Sequence, residues 1–121
     1  MLDFVRLEKN VPVSQMSKGM IEKLNLTLCF SRKAKLFLLD EPLGGVDPVA
    51  RERIVSAIVN TYNPSSSIIV STHLVHDIEH MFNDVCFIGK GEIVLYEDAG
   101  VLKSGRGMDI DELYINTFKE L

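Results

Sequence analysis

Apolar positions along this chain fall into two kinds of run, some at helical spacing and some short and continuous. Residues 1–10 set Leu2, Val5 and Leu7 among charges, which predicts a short helix ended by Pro12, with residues 11–16 as a connector. Over residues 19–30, Met20, Ile21, Leu24 and Leu28 recur at helical spacing, and Ser17 or Lys18 stands just before the start. Leu26 and Cys29 widen that arc and predict a helix buried on most sides. Residues 36–39 are all apolar and are followed by Asp40 and Glu41, the pattern of a strand buried on both faces of a parallel sheet. Pro42, Gly44 and Gly45 punctuate a loop, and Asp47-Pro48 predicts a helix start, an acidic cap followed by proline at the first helical position. Ile54, Val55, Ile58 and Tyr62 stripe that helix, and Asn63-Pro64 with three serines turns the chain into a second apolar strand over residues 67–71.

After His73, Leu74, Ile78, Met81 and Phe82 again share a helical face. Residues 85–88 predict a third strand, Gly89-Lys90-Gly91 a tight turn, and residues 92–96 the returning arm of a hairpin. Gly105-Arg106-Gly107 reads as a flexible break. Asp109 can then cap a last amphipathic helix carrying Ile110, Leu113, Tyr114 and Phe118 on its inner side. Strands alternating with helices predict an α/β layered fold with a mainly parallel sheet.

Composition narrows the class. A chain of 121 residues, 46% hydrophobic and 25% charged, suits one globular domain with a moderate core. A net charge of -4 argues against non-specific nucleic-acid binding, and no nucleic-acid partner is expected. No apolar run approaches the roughly 20 residues that cross a bilayer, and the N-terminus lacks the basic start and apolar stretch of a signal peptide. Cys29 and Cys86 lie in apolar segments and are expected to be buried thiols in a cytosolic setting.

The candidate chemistry concentrates around Asp40 and Glu41. Successive strand residues point to opposite sides, so one carboxylate can hold a magnesium ion while the other orients an attacking water; equally, acidic residues can simply end a strand at the surface. Ser17–Met20 reads either as a plain helix start or as a phosphate site built from free backbone N–H groups and the helix dipole. His73 is either a polar strand end or a group reaching the same site as Glu41. Asp47 is explained by its cap alone. His76 and His80 have the i, i+4 spacing that can bind zinc, but with no third ligand nearby they read as a solvated helix face.

Order and separation change the weight of these motifs. Lys35-Leu36-Phe37-Leu38-Leu39-Asp40-Glu41-Pro42 resembles the Walker B segment of ABC ATPases. Gly44-Gly45-Val46-Asp47 stands where that family has its D-loop, and His73 where it has its switch histidine. Met16-Ser17-Lys18-Gly19-Met20 is similar to the signature motif LSGGQ, and Gly91-Glu92-Ile93-Val94 to the family's late hairpin. Lys18 replaces a glycine and Met20 the glutamine, a variant similar to that of bacterial exporter-type subunits. The resemblance extends over nearly the whole chain.

The resemblance implies a partial P-loop NTPase three-layer fold, lacking the phosphate-loop strand, because no G-x-x-x-x-G-K-[ST] occurs in the sequence. It implies a remnant of the helical subdomain over 1–34, the C-terminal part of the ATPase core over 35–104, and a C-terminal helix over 105–121. It assigns magnesium to Asp40, catalysis to Glu41 and His73, and nucleotide contacts to Ser17, Lys18, Gly19 and Asp47, the last at the subunit junction. ATP and Mg2+ are then the cofactors of the complete module, with neither held tightly by this chain alone. The implied partners are the N-terminal half of the module, a second ATP-binding subunit and a membrane permease, which would hold the protein at the cytoplasmic face of a membrane. Two other classes stay open at this point: a split ATPase head of chromosome-maintenance or repair type, and a non-enzymatic interaction remnant.

Overall fold

The structure, a computed structural model, describes residues 9–61, 63–78, 81, 83–106 and 109–119. The helix predicted over residues 1–10 lies almost wholly outside these, as do Tyr62, His80, Phe82 and Gly107. The chain divides into two compact units, Met1–His73 and Leu74–Leu121.

In the first unit a single 3-10 turn, Val13–Gln15, leads to helix α1, Lys18–Phe30. Ser17 is its cap: its hydroxyl accepts the Met20 N–H at 3.2 Å, satisfying one of the orphan donors of the first turn. Strand β1, Leu36–Asp40, pairs in parallel with β2, Ser67–Ser71, in a register that sets Asp40 opposite Ser71. Helix α2, Pro48–Thr61, makes the crossover between them. Asp47 caps it as expected, its Oδ1 accepting the Ala50 N–H at 3.0 Å, with Pro48 at the first helical position. Ile54, Val55 and Ile58 are buried along α2, each side chain contributing about 1.5–3 kcal/mol by leaving water.

One face of the β1–β2 pair is covered and the other is open. Phe37 and Leu39 are buried, with the Phe37 ring 4.9 Å from that of Phe30 at the end of α1. Leu38 is 68% exposed, and Leu36 and Ile69 are exposed too, so the expectation of burial on both faces is corrected to one. The apolar run states what a covering layer would meet; it does not supply the layer. Helix α1 buries Lys23, Leu26, Thr27 and Phe30 and half-buries most of its other residues, in line with the expected broad burial, but Leu28, read as part of the apolar arc, is exposed. Met20 and Leu24 pack against Ala57 of α2.

The second unit begins with the short helix α3, Val75–Ile78. Strands β3, Asp84–Gly89, and β4, Glu92–Asp98, form an antiparallel hairpin. Its two-residue turn has Lys90 at φ 53° and Gly91 at φ 79°, the doubly left-handed geometry that matches strand twist and favours glycine at the second position. Helices α4, Ala99–Arg106, and α5, Ile110–Lys119, follow. Asp98 starts α4 by accepting the Val101 N–H at 3.0 Å, and Asp109 starts α5 by accepting that of Glu112 at 2.8 Å. Val75, Val85, Phe87, Leu102, Ile110 and Leu113 form the core of this unit. Phe87, Tyr114 and Phe118 meet there as an aromatic cluster with ring centroids 4.8–5.9 Å apart. The hairpin and the last helix follow the sequence reading, with strand ends one or two residues longer. Helix α4 does not follow it: the segment expected to break at Gly105 is helical through Arg106. Cys86 is exposed on β3 and Cys29 is half-buried, which corrects the expectation of two buried thiols.

Candidate active site

The C-terminal ends of β1 and β2 bring together Asp40, Glu41 and His73 of the residues singled out by sequence. Parallel pairing continues one step past β1, where the Glu41 N–H donates to the Ser71 carbonyl at 2.7 Å. There the chain turns: Glu41 has φ 45°, a left-handed conformation that a non-glycine residue adopts only when its surroundings hold it. The two carboxylates engage different partners: that of Asp40 reaches Ser71, its register mate, and that of Glu41 reaches the next two residues, Thr72 and His73.

Asp40 Oδ1 accepts a short hydrogen bond from the Ser71 hydroxyl. Glu41 Oε2 accepts the Thr72 hydroxyl at 3.0 Å. Glu41 Oε1 accepts the backbone N–H of His73 at 3.0 Å and lies 2.6 Å from its Nδ1. One carboxylate thus gathers two consecutive residues, which is what fixes it in its strained backbone setting. Partial burial alone would push the Glu41 carboxyl up. The hydrogen bonds from the His73 ring, the Thr72 hydroxyl and the His73 N–H outweigh it and hold the group below its ordinary value of 4.5. His73 itself is exposed while its ring contacts Glu41.

Ser71 and Thr72 were not singled out from the sequence. The signal was the hydroxyl pair of Ser71-Thr72-His73, placed directly after an apolar strand that pairs with the carboxylate strand. A groove of about 260 Å³ opens beside β1, lined by Glu22, Asn25, Cys29, Leu38 and Asp40 among others.

Ser17, Lys18 and Gly19 form a second cluster at the start of α1, against the loop that follows Glu41. The Glu41 carbonyl accepts the Gly44 N–H at 3.1 Å, closing the first turn of that loop. Arg51 steadies its end by donating from Nε to the Val46 carbonyl at 2.9 Å. The Lys18 side chain lies along Gly45, and Val46 approaches Gly19. Asp47 Oδ1 is engaged in capping α2. Of the histidine pair considered for zinc, His76 is exposed and His80 lies outside the described residues. Among the described residues no group of three His, Cys, Asp or Glu side chains could hold a metal by itself.

A parallel strand pair ending in Asp-Glu, with a histidine just after the second strand and a capped helix start before it, is the arrangement that the resemblance to ABC ATPases implies. The sequence family described as AAA domain, putative AbiEii toxin, Type IV TA system matches residues 4–76, more than half of the chain, and the chain belongs to this AAA-domain family. More narrowly, the curated proteins it is similar to are ATP-binding proteins of ABC transporters. It is 32% identical, over its full length, to the Nod factor export ATP-binding protein I of Sinorhizobium fredii, 36% of which it covers. It is 31% identical over 72% of its length to the lantibiotic transport ATP-binding protein SrtF of Streptococcus pyogenes, covering 38% of that protein. The chain therefore spans little more than a third of these relatives. A solved structure of an ATP-binding subunit of an ABC transporter superposes with a TM-score of 0.78 at 24% identity, over 95% of this chain and 50% of that one. The fold is accordingly a partial P-loop NTPase α/β fold. Among the described residues no helix is long and apolar enough to cross a membrane.

Proposed function

We propose that this chain is the C-terminal half of the ATP-hydrolysing subunit of an ABC transporter, with Glu41 as the carboxylate that activates water. The observation that carries the reading is the Glu41–His73 contact: an exposed imidazole and a carboxylate held 2.6 Å apart at the C-terminal end of a parallel strand pair. A carboxylate kept charged by its donors is suited to orient or deprotonate an attacking water. His73 is the group that exchanges Glu41 for the γ-phosphate of ATP. When it swings away, one Glu41 oxygen loses a partner and is released toward water. In an assembled transporter, Ser17, Lys18 and Gly19 engage nucleotide held by a second ATP-binding subunit, and Asp47 lies at the junction between the two.

The donors near Asp40 fit magnesium. Asp40 is an exposed hard-oxygen ligand beside the Ser71 hydroxyl and the open groove, and magnesium takes one or two carboxylates with water and phosphate oxygens completing its octahedron. Bound there, the ion would neutralise charge on the phosphates. The chain contains no phosphate-binding loop, so turnover requires the N-terminal half of the module. Transport relatives, rather than chromosome-maintenance heads, support a membrane permease as the further partner and the cytoplasmic membrane face as the place of action.

The test supplies an N-terminal half, fused or co-expressed, and measures turnover and nucleotide affinity with and without magnesium. Glu41→Gln is expected to lower hydrolysis by about a hundredfold or more, roughly 3 kcal/mol of transition-state stabilisation, while magnesium-ATP binding persists. Asp40→Asn is expected to weaken magnesium-dependent binding itself. Retention of more than about a tenth of the parent rate by Glu41→Gln, a loss under ~1.4 kcal/mol, removes Glu41 from this role.

A further inference from the structure

We propose that Gly45 is a positioning residue for Lys18: the space left by its missing side chain is the seat in which the Lys18 ammonium lies. This rests on the reading of Lys18 as a nucleotide contact and adds to it the residue that aims the cation. A Cβ at Gly45 would collide with Lys18 Nζ and stand 2.7 Å from its Cε and 3.3 Å from its Cδ. Three successive side-chain atoms thus line one missing methyl group, so the lysine lies along the glycine rather than touching it with its tip. Gly45 has φ +72°, and that left-handed turn is what directs its empty side toward α1. One residue further on each element the contact repeats, with Val46 Cγ1 4.0 Å from where a Gly19 Cβ would be. The loop after Glu41 therefore packs on the first turn of α1 at two consecutive positions.

The arrangement separates two requirements that usually coincide at a glycine. The backbone needs a residue tolerant of positive φ, and the lysine needs that residue to have no side chain. Asparagine meets the first requirement and fails the second. Among the described residues Lys18 Nζ has no hydrogen-bond or ion-pair partner, and the exposed side chain lies against the Gly45 backbone with its donors available to an anion. Any side chain at position 45 would lift the ammonium from this place without touching the Ser17 cap or the Asp40–Glu41–His73 cluster.

Two measurements decide the matter. In the full chain carrying carbon-13 lysine, with Lys18 assigned through Lys18→Arg, the Lys18 ε-methylene protons should show through-space contacts to the Gly45 α-protons. Gly45→Asn should abolish the seating and give the Lys18 ε-methylene the narrow signals of a free surface lysine, with the rest of the spectrum retained. Gly45→Ala is the strained companion, and asparagine is chosen so that failure to fold does not decide the result. In the module completed with an N-terminal half, Gly45→Asn and Lys18→Ala should each raise KM for ATP about fivefold, with the double variant no worse than either alone. Absence of the parent contact, unmoved Lys18 signals in Gly45→Asn, or additive KM effects would each overturn the proposal. A completed parent module that fails to turn over ATP counts against the proposed function, while the Lys18–Gly45 contact is decided by the spectra alone.

Discussion

Among the described residues two, Glu41 and Lys90, carry a side chain at a positive φ, 45° and 53° respectively, and they sit in different units. Lys90 occupies a hairpin turn whose geometry calls for that conformation, with Gly91 completing it. Glu41 ends a parallel strand, where no turn type requires it, and three hydrogen-bond donors from Thr72 and His73 hold it there. The first case is connection and the second is placement. The same contrast extends to the units around them. In Leu74–Leu121 capping residues start the helices and the interior is an apolar and aromatic cluster. In Met1–His73 polar groups crowd the strand ends, and a loop carries glycine where a lysine needs room. Backbone strain becomes informative about function when it is paired with side chains that could have been satisfied more simply elsewhere.

The largest expected effect lies on the packing side of this comparison. Ile110→Ala removes a fully buried side chain from the second unit and should destabilise it by about 2–4 kcal/mol, measured by chemical denaturation. The signals of Glu41 and His73 should stay where they are; if they move, the functional cluster depends on the second unit's packing. Asp47→Ala should cost about 1 kcal/mol through the lost cap of α2. A null result in thermal unfolding would leave Asp47 without its structural role. Glycine scanning then addresses the two strained positions directly. Lys90→Gly should change stability by no more than about 0.5 kcal/mol. Glu41→Gly relaxes the same backbone conformation yet removes an acceptor of three donors, and should cost about 1 kcal/mol after discounting for exposure. Equal effects at the two sites would erase the distinction.

Much of the local structure was legible because it depends on neighbours in sequence. The Asp47-Pro48 helix start, the Asp109 cap and the Gly89-Lys90-Gly91 hairpin each follow from a few adjacent residues. What failed depended on neighbours in space. Leu36 and Leu38 read as doubly buried, but only one side of their strand meets a layer. Cys86 lies in an apolar run, yet alternation along β3 turns it outward while Val85 and Phe87 turn in. Helix α4 was hidden by Gly100 and Gly105, although Asp98 before Ala99 was a start signal. At the site, sequence proximity brought Asp40 and Glu41 to notice, and the two engage different partners, Ser71 for the one and Thr72 and His73 for the other. The left-handed turn at Glu41 and the hydroxyls of Ser71 and Thr72 are products of the parallel register, which no single segment contains.

The smallest effect is the pH dependence of stability. Because the folded-state value of Glu41 lies below 4.5, its contribution is present above that pH and is lost as pH falls through the folded value. Glu41→Gln should therefore narrow the stability difference from the parent as the solution is acidified. An unchanged difference between neutral pH and pH values well below 4.5 would mean that Glu41 is not held charged by its donors.

The proposed chemistry depends on His73 helping to hold Glu41 as a carboxylate, and this is measured most directly by titrating the Glu41 side-chain carboxyl carbon by carbon-13 NMR in the intact chain. In the parent the midpoint should fall below 4.5. In His73→Ala the ring hydrogen bond is gone while the opposing effect of burial stays, so the midpoint should rise. A parent midpoint at or above 4.5, or one that His73→Ala leaves unmoved, would contradict the pairing on which the proposed chemistry stands.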